Sequence, residues 1–214
     1  MKIIALSCSP SRKRNSDTML DHFIDGMMEI PNIEVEKIYL EDIPINTYNF
    51  QNSTGPQENE QLFKELSEKI KNESFGLVIA TPTYNFSVPA HLKNFIDRIR
   101  FFALNFEEKN NFGQPKGELK NLRTYFLVSG GTPNWAEKIL FFTFPSFWLR
   151  GIFLYFNAKV MGAYYSGDTQ TFKNKKILKK CFRKGKKYAK NIIKQKNHGI
   201  LENIFWRSPQ NKQM

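Results

Sequence analysis

Five short segments with the composition of buried β-strands alternate along this chain with longer segments of helical periodicity. The strand-like segments are rich in apolar and β-branched residues and span residues 2–7, 33–40, 75–82, 122–129 and 159–166. Between them, apolar side chains recur at three- and four-residue steps, which is typical of amphipathic helices. Strands separated by helices pair in parallel through right-handed crossovers. The pattern therefore predicts an α/β fold, a flavodoxin-like, doubly wound, five-stranded parallel sheet with helices on both faces.

The helical segments have recognisable start signals. Ser16 is a candidate N-cap for a helix that runs through Met27, and Pro89 opens a helix that runs through Ile99. Further helices are predicted over 58–71, in an aromatic region that ends at about 156, and over about 172–195, with loops at 41–57 and 105–121.

Neither a repeat nor a linker divides the chain. We therefore expect one domain over residues 1–196. Residues 197–214 would then be a C-terminal tail, either loose or lying as an arm across a partner subunit.

The net charge of +12 is concentrated at one end of the chain. Residues 1–167 hold 18 basic and 18 acidic side chains, whereas residues 168–214 hold 14 basic and two acidic ones. A basic pI that arises from one segment does not by itself indicate a nucleic-acid-binding protein, and nucleic acid is not an expected partner. The lysine-rich helix at 172–195 has an apolar stripe, so we expect a solvated outer helix. The alternatives are nucleic-acid binding and anionic-membrane binding.

Cysteine usage and hydropathy exclude several classes of protein. Cys8 and Cys181 are far apart and form no CxxC motif, which argues against a disulfide scaffold, a zinc site or an iron–sulfur cluster. The first apolar run is short and precedes its basic residues, so it indicates a strand rather than a signal peptide. No uninterrupted run of about 18 apolar residues occurs. We expect a cytoplasmic protein without a membrane span.

Ligands of open parallel sheets bind beyond the carboxyl ends of the strands, where the strand order reverses. The loop after the first strand, residues 9–18, combines serine and threonine hydroxyls, three basic side chains and a helix N-terminus. These groups suit a phosphate monoester. The loop has neither GxGxxG nor GxxxxGK[ST], so a terminal monophosphate fits better than a dinucleotide or a nucleoside triphosphate. The alternative is a surface loop whose serines merely cap the helix.

The loops after the third and fourth strands carry a different chemistry. Pro82 and Pro89 bracket aromatic and amide side chains, and such a stiff loop suits a flat heterocycle. Gly130 and Gly131 follow the fourth strand and would let backbone N–H groups approach a ligand. Taken singly, each loop is equally well explained as an ordinary turn.

Together the three loops resemble those of the flavodoxin-like NAD(P)H-dependent FMN oxidoreductases, which include FMN-dependent azoreductases, quinone reductases and flavin reductases. The spacing Ser9…Ser16-x-Thr18 is similar to the phosphate loop of that family. The most specific match is Pro82-x-Tyr84-Asn85-Phe86-x-x-Pro89-x-x-Leu92-Lys93-Asn94-Phe95-Ile96-Asp97-Arg98. Further similarity at 115–120, 129–131 and 148–153 extends the resemblance over about residues 1–168. Cys8, where many relatives have glycine, and the lysine-rich final helix depart from the pattern.

The resemblance implies FMN as cofactor, NADPH or NADH as hydride donor, and a homodimer with each site near the subunit interface. For the lysine-rich helix at 172–195, attraction for the phosphates of NADPH is then a third alternative. By position, the phosphate would be held by Ser9, Ser16, Thr18 and Arg12. The ring would be flanked by Pro82, Thr83, Tyr84, Asn85 and Phe86, and its other edge would contact Ser129, Gly130 and Gly131. The backbone N–H groups of Gly130 and Gly131 are candidate donors to the reduced flavin.

The implied reaction is a two-step hydride transfer, from the nicotinamide to FMN and on to a flat small-molecule acceptor such as a quinone, azo, nitro or flavin compound. No side chain needs to act as acid or base, and His91 is expected on a helix face rather than in the reaction. One alternative is a flavodoxin-type electron carrier, although flavodoxins are acidic and this body is neutral. A non-flavin interaction domain with a basic arm is another.

Aromatic residues are more numerous than one small core readily absorbs. They cluster at Phe101, Phe102, Phe106 and Phe112, and again at Trp135, Phe141, Phe142, Phe144, Phe147 and Trp148. We expect about half to face the core, and the others to line an acceptor pocket or a dimer interface.

Overall fold

The protein is described by a computed structural model that covers residues 1–49, 55–140 and 144–194. Three sequence-based expectations lie outside the described residues. These are the tail at 197–214, the end of the last helix beyond 194, and the placement of Phe141 and Phe142.

A parallel sheet of five strands forms the centre of the fold. Its strands are β1 (Lys2–Ser7), β2 (Glu34–Tyr39), β3 (Gly76–Pro82), β6 (Arg123–Ser129) and β7 (Lys159–Ser166). They lie in the order β2-β1-β3-β6-β7, and all neighbours pair in parallel. This arrangement confirms the predicted α/β sheet. The strand order reverses between β1 and β3, and ligands of such sheets bind near this point, beyond the carboxyl ends of the strands.

Helices cover both faces of this sheet. One face is covered by α1 (Asn15–Met28) and α6 (Lys175–Ile193), and the other by α2 (Gln61–Glu68), α3 (Ala90–Ala103) and α5 (Pro145–Tyr155). A short helix, α4 (Asn134–Ile139), follows β6, and α2 continues into a π-helical turn at Lys69–Glu73. The aromatic region predicted to be helical up to about 156 contains two helices among its described residues.

Two apolar cores result from the alternation of side chains along the strands. Ile3 of β1 packs with Phe23 of α1 and Tyr188 of α6, while Ile4 belongs to the opposite core with Phe95 of α3. The central strands are buried on both faces, which explains why their sequences are nearly continuous apolar runs.

The predicted loop at 105–121 is wrong in part, because it contains an antiparallel pair of strands. These are β4 (Leu104–Lys109) and β5 (Pro115–Gly117), which form a separate two-stranded sheet. Residues 106–109 are exposed, so these strands lack the apolar alternation by which a half-buried strand is recognised.

The lysine-rich helix α6 is docked against α1 at very close range. A Cβ atom added to Gly26 would lie 2.0 Å from the carbonyl oxygen of Phe182, and one added to Gly185 would lie 2.0 Å from that of Phe23. The two backbones can approach this closely only because both residues are glycine. Cys181 and Ile192 lie on the buried side of α6, and most of its lysines are exposed, as the amphipathic pattern predicts. No helix of the described residues is long and apolar enough to cross a membrane.

Candidate cofactor site at the carboxyl edge of the sheet

The loops that follow β1, β3 and β6 line one cavity of about 350 Å³ at the carboxyl edge of the sheet. It lies at the reversal of strand order, where open parallel sheets bind their ligands. Eight of the residues predicted from the sequence line it, namely Ser9, Ser16, Pro82, Thr83, Tyr84, Ser129, Gly130 and Gly131. Three further lining residues, Ser11, Arg14 and Asn15, belong to the predicted loop 9–18 but were not assigned individually, and Thr169 lies outside the predicted loops.

The cation beside this cavity is Arg14, whereas Arg12 is held elsewhere. The guanidinium of Arg12 binds the carboxylate of Asp42 at 2.5 and 2.7 Å and lies 4.2 Å from the ring centroid of Tyr39. Arg14 lines the cavity, with its guanidinium 5.6 Å from the ring centroid of Phe172. The sequence alone could not separate them, because the choice depends on Asp42, which is distant along the chain.

The loop after β1 is closed by the buried carboxylate of Asp17. Its Oδ2 accepts a hydrogen bond from the backbone N–H of Lys13 (2.7 Å), and its Oδ1 accepts one from the hydroxyl of Ser7 (2.8 Å). Lys13 has a φ of 57°, in the left-handed region that turns the chain back toward α1.

The predicted N-cap at Ser16 is wrong. The capping residue is Arg14, Ser16 is the second residue of α1, and Asp17 in the first turn reaches back to the loop instead. Asp17 is recognisable from the sequence as a carboxylate in the first turn of a helix, but the loop groups that it binds are not.

Lys37 of β2 balances the negative charge of Asp17. Its Nζ lies 2.8 Å from Asp17 Oδ1 and also contacts Asp21. Burial disfavours both charged forms, but the hydrogen bonds between them outweigh it. The pKa of Asp17 is therefore held below its ordinary value and the pKa of Lys37 above its own. A phosphate placed beside α1 would thus meet a neutralised aspartate.

Two hydroxyls beside this cavity have no hydrogen-bond partner in the part of the chain that the structure describes. Ser16 Oγ and Thr83 Oγ1 are buried and unpaired among the described residues, and both residues line the cavity. Ser9 differs, because its Oγ donates to the carbonyl of Ser11 (2.9 Å) and accepts from the N–H of Ser11 (3.2 Å). Buried polar groups normally find partners, so the two orphan hydroxyls indicate a ligand with polar atoms.

Thr18 does not line the cavity. It is half-buried in α1, where its backbone N–H donates to the carbonyl of Arg14 (2.8 Å).

The second loop is a tight turn that presents Tyr84 to the cavity. Tyr84 and Ser87 exchange two backbone hydrogen bonds of 2.9 Å, and the two residues between them, Asn85 and Phe86, have φ values of 49° and 63°. Positive φ at both central positions describes a type I′ turn, which is costly for an aromatic residue. Asn85 and Phe86 are not among the residues that line the cavity. The ring centroids of Phe86 and Phe144 lie 5.8 Å apart in an edge-to-face arrangement.

The third loop supplies one free backbone donor rather than two. The N–H of Gly130 donates to the carbonyl of Ser166 (2.9 Å), so that part of the prediction is wrong. The N–H of Gly131 makes no hydrogen bond within the described residues. A Cβ on Gly130 would lie 2.7 Å from the hydroxyl of Tyr165, whereas one on Gly131 would meet nothing nearer than 3.7 Å.

Asn15 brings a segment that is distant in the sequence to this cavity. Its Nδ2 donates to the carbonyl of Thr169 (3.1 Å), and its Oδ1 accepts from the N–H of Phe172 (3.1 Å). This contact places Thr169 in the cavity wall. No local pattern marks Asn15, because its role depends on a loop after β7.

His91 lies in the first turn of α3, outside the cavity lining. Burial lowers its pKa, against an opposing hydrogen bond to the backbone of Cys8. Its placement on a helix agrees with the sequence-based expectation.

The aromatic clusters divide between core and surface. Phe144 is buried, Phe101, Phe102 and Trp148 are half-buried, and the exposed members are Phe106, Phe112, Trp135 and Phe147. Tyr84 and Phe86, beside the cavity, are about half exposed, at 49% and 52%.

Comparison with known families and sequences gives consistent matches. The family described as NADPH-dependent FMN reductase matches residues 1–170. An FMN-dependent NADH:quinone oxidoreductase of Mycoplasma genitalium is 32% identical over 148 residues, which is 64% of this chain and 72% of that protein. Another, from Pelagibacter ubique, is 26% identical over 205 residues, which is 90% of this chain and all of that protein.

Solved structures with the same fold include two from Bacillus anthracis. A crystal structure of an azoreductase has a TM-score of 0.66 at 18% identity, with 89% of this chain and 99% of that chain covered. An FMN-dependent NADH-azoreductase in complex with FMN has a TM-score of 0.63 at 18% identity, with coverage of 89% and 98%. At this identity the likeness establishes the fold.

Proposed function

Because the chain belongs to the NADPH-dependent FMN reductase family, we propose that it transfers hydride from NADH or NADPH to a quinone or azo compound. It is an FMN-dependent NAD(P)H oxidoreductase. FMN, when bound, supplies the hydride chemistry, and the protein contributes binding, orientation and shielding from water. The names of the curated relatives support NADH and a quinone as substrates.

The cavity between the three loops is the proposed FMN site, and the orphan hydroxyls of Ser16 and Thr83 are the observation that carries this proposal. The residues present fit the cofactor. Ser16 Oγ, Arg14 and the N–H groups at the start of α1 would bind the phosphate. We retain Ser9 and Thr18 as supporting residues of this loop and assign the cationic role to Arg14 in place of Arg12.

The ring system would lie between the second and third loops. Pro82 and Tyr84 would bound one side, while Thr83 Oγ1 and the N–H of Gly131 would donate hydrogen bonds to polar atoms at its edge. Asn85 and Phe86 would shape the turn rather than touch the ring. The half-exposed ring of Tyr84 offers a flat face for stacking, which favours planar acceptors over one particular shape.

The same proposal includes a homodimer and a cytoplasmic location, with residues 1–196 as one domain. The exposed aromatic side chains of the second loop, Tyr84 and Phe86, support an interface beside the cavity. Trp135 and Phe147 are also exposed and offer further apolar surface. Cys8 and Cys181 are unpaired, which is compatible with a reducing compartment. Sedimentation equilibrium that finds only monomers at micromolar concentration would contradict the dimer.

The test begins with the visible spectrum of the purified protein after addition of FMN. We expect a bound flavin spectrum, bleaching by NADH or NADPH without a partner protein under anaerobic conditions, and recovery of the colour on addition of 1,4-benzoquinone. A flavodoxin-type carrier would bind FMN but would not be bleached by nicotinamides alone. A protein that binds no FMN would contradict both alternatives.

Substitution of the orphan hydroxyls tests the site itself. Ser16→Ala should weaken FMN binding about tenfold, since a hydrogen bond to a charged group contributes about 1.5 kcal/mol. Ser74→Ala is the matched control, because Ser74 Oγ is also buried and unpaired among the described residues but precedes β3 at the opposite end of the sheet. Titration by flavin fluorescence should show no change for this control.

A further inference from the structure

A second cavity, of about 510 Å³, lies along the free edge of β7. Residues of α4, α5, α6 and β7 line it, and it shares no lining residue with the FMN cavity. Its volume is in the range of small-molecule sites.

The lining of this cavity is strongly basic. Lys138, Arg150 and Lys180 bring three positive charges from three different helices, and none of them forms an ion pair with a carboxylate within the described residues. The one carboxylate among the lining residues is that of Glu137, whose Oε1 accepts a hydrogen bond from Ser146 Oγ (3.1 Å). The lining therefore carries a net charge of +2 that nothing described balances.

Neighbouring lysines of α6 add to this charge. Lys180 Nζ and Lys184 Nζ lie 4.6 and 5.2 Å from the ring centroid of Tyr164, which is part of the cavity wall. Burial lowers the pKa of Lys184, and the positive charges of Lys180 and Lys187 lower it further. A bound anion would offset this repulsion.

We propose that this cavity is a phosphate-binding site, in which Arg150 binds the phosphate through its planar fork and Lys138 and Lys180 act as point charges. Arginine matches the geometry of phosphate oxygens, and lysine neutralises charge without fixing direction. Ser146, in the first turn of α5, places a helix N-terminus in the same wall.

The position of Tyr165 connects this cavity with the FMN site. Tyr165 lines the basic cavity, and its hydroxyl donates to the carbonyl of Thr132 (2.7 Å), in the turn that contains Gly130. The two cavities thus flank one turn. The phosphate could come from the 2′-phosphate of NADPH or from a separate phosphorylated ligand. Only the first source rests on the proposed function.

The test uses the full-length protein loaded with FMN. Binding of inorganic phosphate and of adenosine 2′,5′-bisphosphate is measured by isothermal titration calorimetry at constant ionic strength set with chloride. Arg150→Gln and Lys180→Gln should each weaken binding about tenfold. Lys190→Gln is the matched control, because Lys190 is an exposed lysine of the same helix that does not line the cavity, and it should change binding less than twofold.

Steady-state kinetics with both nicotinamides separate the two sources. If the site takes the 2′-phosphate, Arg150→Gln raises the KM for NADPH at least fivefold and leaves that for NADH unchanged. If it takes a separate ligand, phosphate binding is lost in Arg150→Gln and neither KM changes. The proposal is overturned if the wild-type protein binds neither probe, or if Lys190→Gln weakens binding as much as Arg150→Gln. Failure of the proposed function would appear differently: FMN binding or NADH turnover would be absent, while phosphate binding would remain intact.

Discussion

Lys37 Nζ lies 2.8 Å from the buried Oδ1 of Asp17, so strand β2 neutralises the carboxylate that closes the loop after β1. This ion pair connects the edge strand β2 with the proposed phosphate loop, because the other carboxylate oxygen, Asp17 Oδ2, accepts a hydrogen bond from the backbone N–H of Lys13. A residue of β2 that does not touch the cavity thereby supports its shape.

Removal of this cation should weaken both folding and FMN binding. Lys37→Met leaves Asp17 buried with two of its partners, and we expect a loss of about 2 kcal/mol in the free energy of unfolding. FMN affinity should fall several-fold as the loop loosens. Lys69→Met is the control, since Lys69 pairs with the more exposed Glu36 of the same strand, and it should cost less than about 1 kcal/mol. Denaturant unfolding and flavin titration measure both effects, and equal losses in the two variants would contradict the assignment.

The depressed pKa of Asp17 predicts a specific acid dependence of stability. A carboxyl group with a lower pKa in the folded state contributes stability above its unfolded pKa, which is about 3.9. That contribution is lost as the pH falls through the lower, folded pKa. The free energy of unfolding of the wild-type protein should therefore decrease more steeply below about pH 4 than that of Asp17→Asn. Parallel pH profiles for the two proteins would show that Asp17 does not carry this dependence.

The buried ion pair of Arg98 and Glu60 should be essential for folding. Arg98 Nη2 lies 2.5 Å from Glu60 Oε2, and the side chains are 0% and 1% exposed. Glu60 also accepts hydrogen bonds from the backbone N–H groups of Asn46 and Gln57. The ion pair of Arg98 and Glu60 therefore fixes the loop before α2. Glu60→Gln should cost about 3 kcal/mol, because it leaves a buried guanidinium without its counter-charge.

The control for this pair is Asp97→Asn in the same helix. Asp97 forms an exposed pair with Lys93, and its loss should cost less than about 0.5 kcal/mol. Thermal unfolding of both variants distinguishes the buried from the exposed pair. A similar midpoint for the two would refute the structural role of Arg98.

The close crossing of α1 and α6 predicts opposite effects for two glycine substitutions. Gly185→Ala should destabilise the protein by about 2 kcal/mol or more, since its Cβ would overlap the carbonyl oxygen of Phe23. Gly151→Ala, in the exposed part of α5 with nothing within 4 Å, should stabilise it by about 0.5–1 kcal/mol through helix propensity. Circular dichroism melts of both variants test the crossing, and a neutral Gly185→Ala would contradict it.

Most of the architecture could be predicted from the sequence. The segments at 2–7 and 159–166 match β1 and β7 residue for residue. For β1 the reason is that a strand buried on both faces is an apolar run whatever it packs against. The hairpin of β4 and β5 was missed, since its exposed side chains carry no such pattern.

The candidate site was predictable in its location but not in its detail. The order of strands and loops brings Ser9, Ser16 and Thr83 to one edge, and parallel topology alone requires this. Whether Arg12 or Arg14 faces the cavity depends on Asp42, and the loss of the Gly130 donor depends on Ser166. These partners are remote in sequence.

Local composition and periodicity are enough to predict the alternation of strands and helices, the positions of the three ligand loops and the charge asymmetry. The pairing of polar groups becomes visible in the folded arrangement alone: Lys37 pairs with Asp17, Arg98 pairs with Glu60, and Ser16 and Thr83 have no described partner. Burial is recorded in the hydrophobic pattern of each segment. The pairing of buried charges and hydroxyls depends instead on distances between segments, which appear only when the chain has folded.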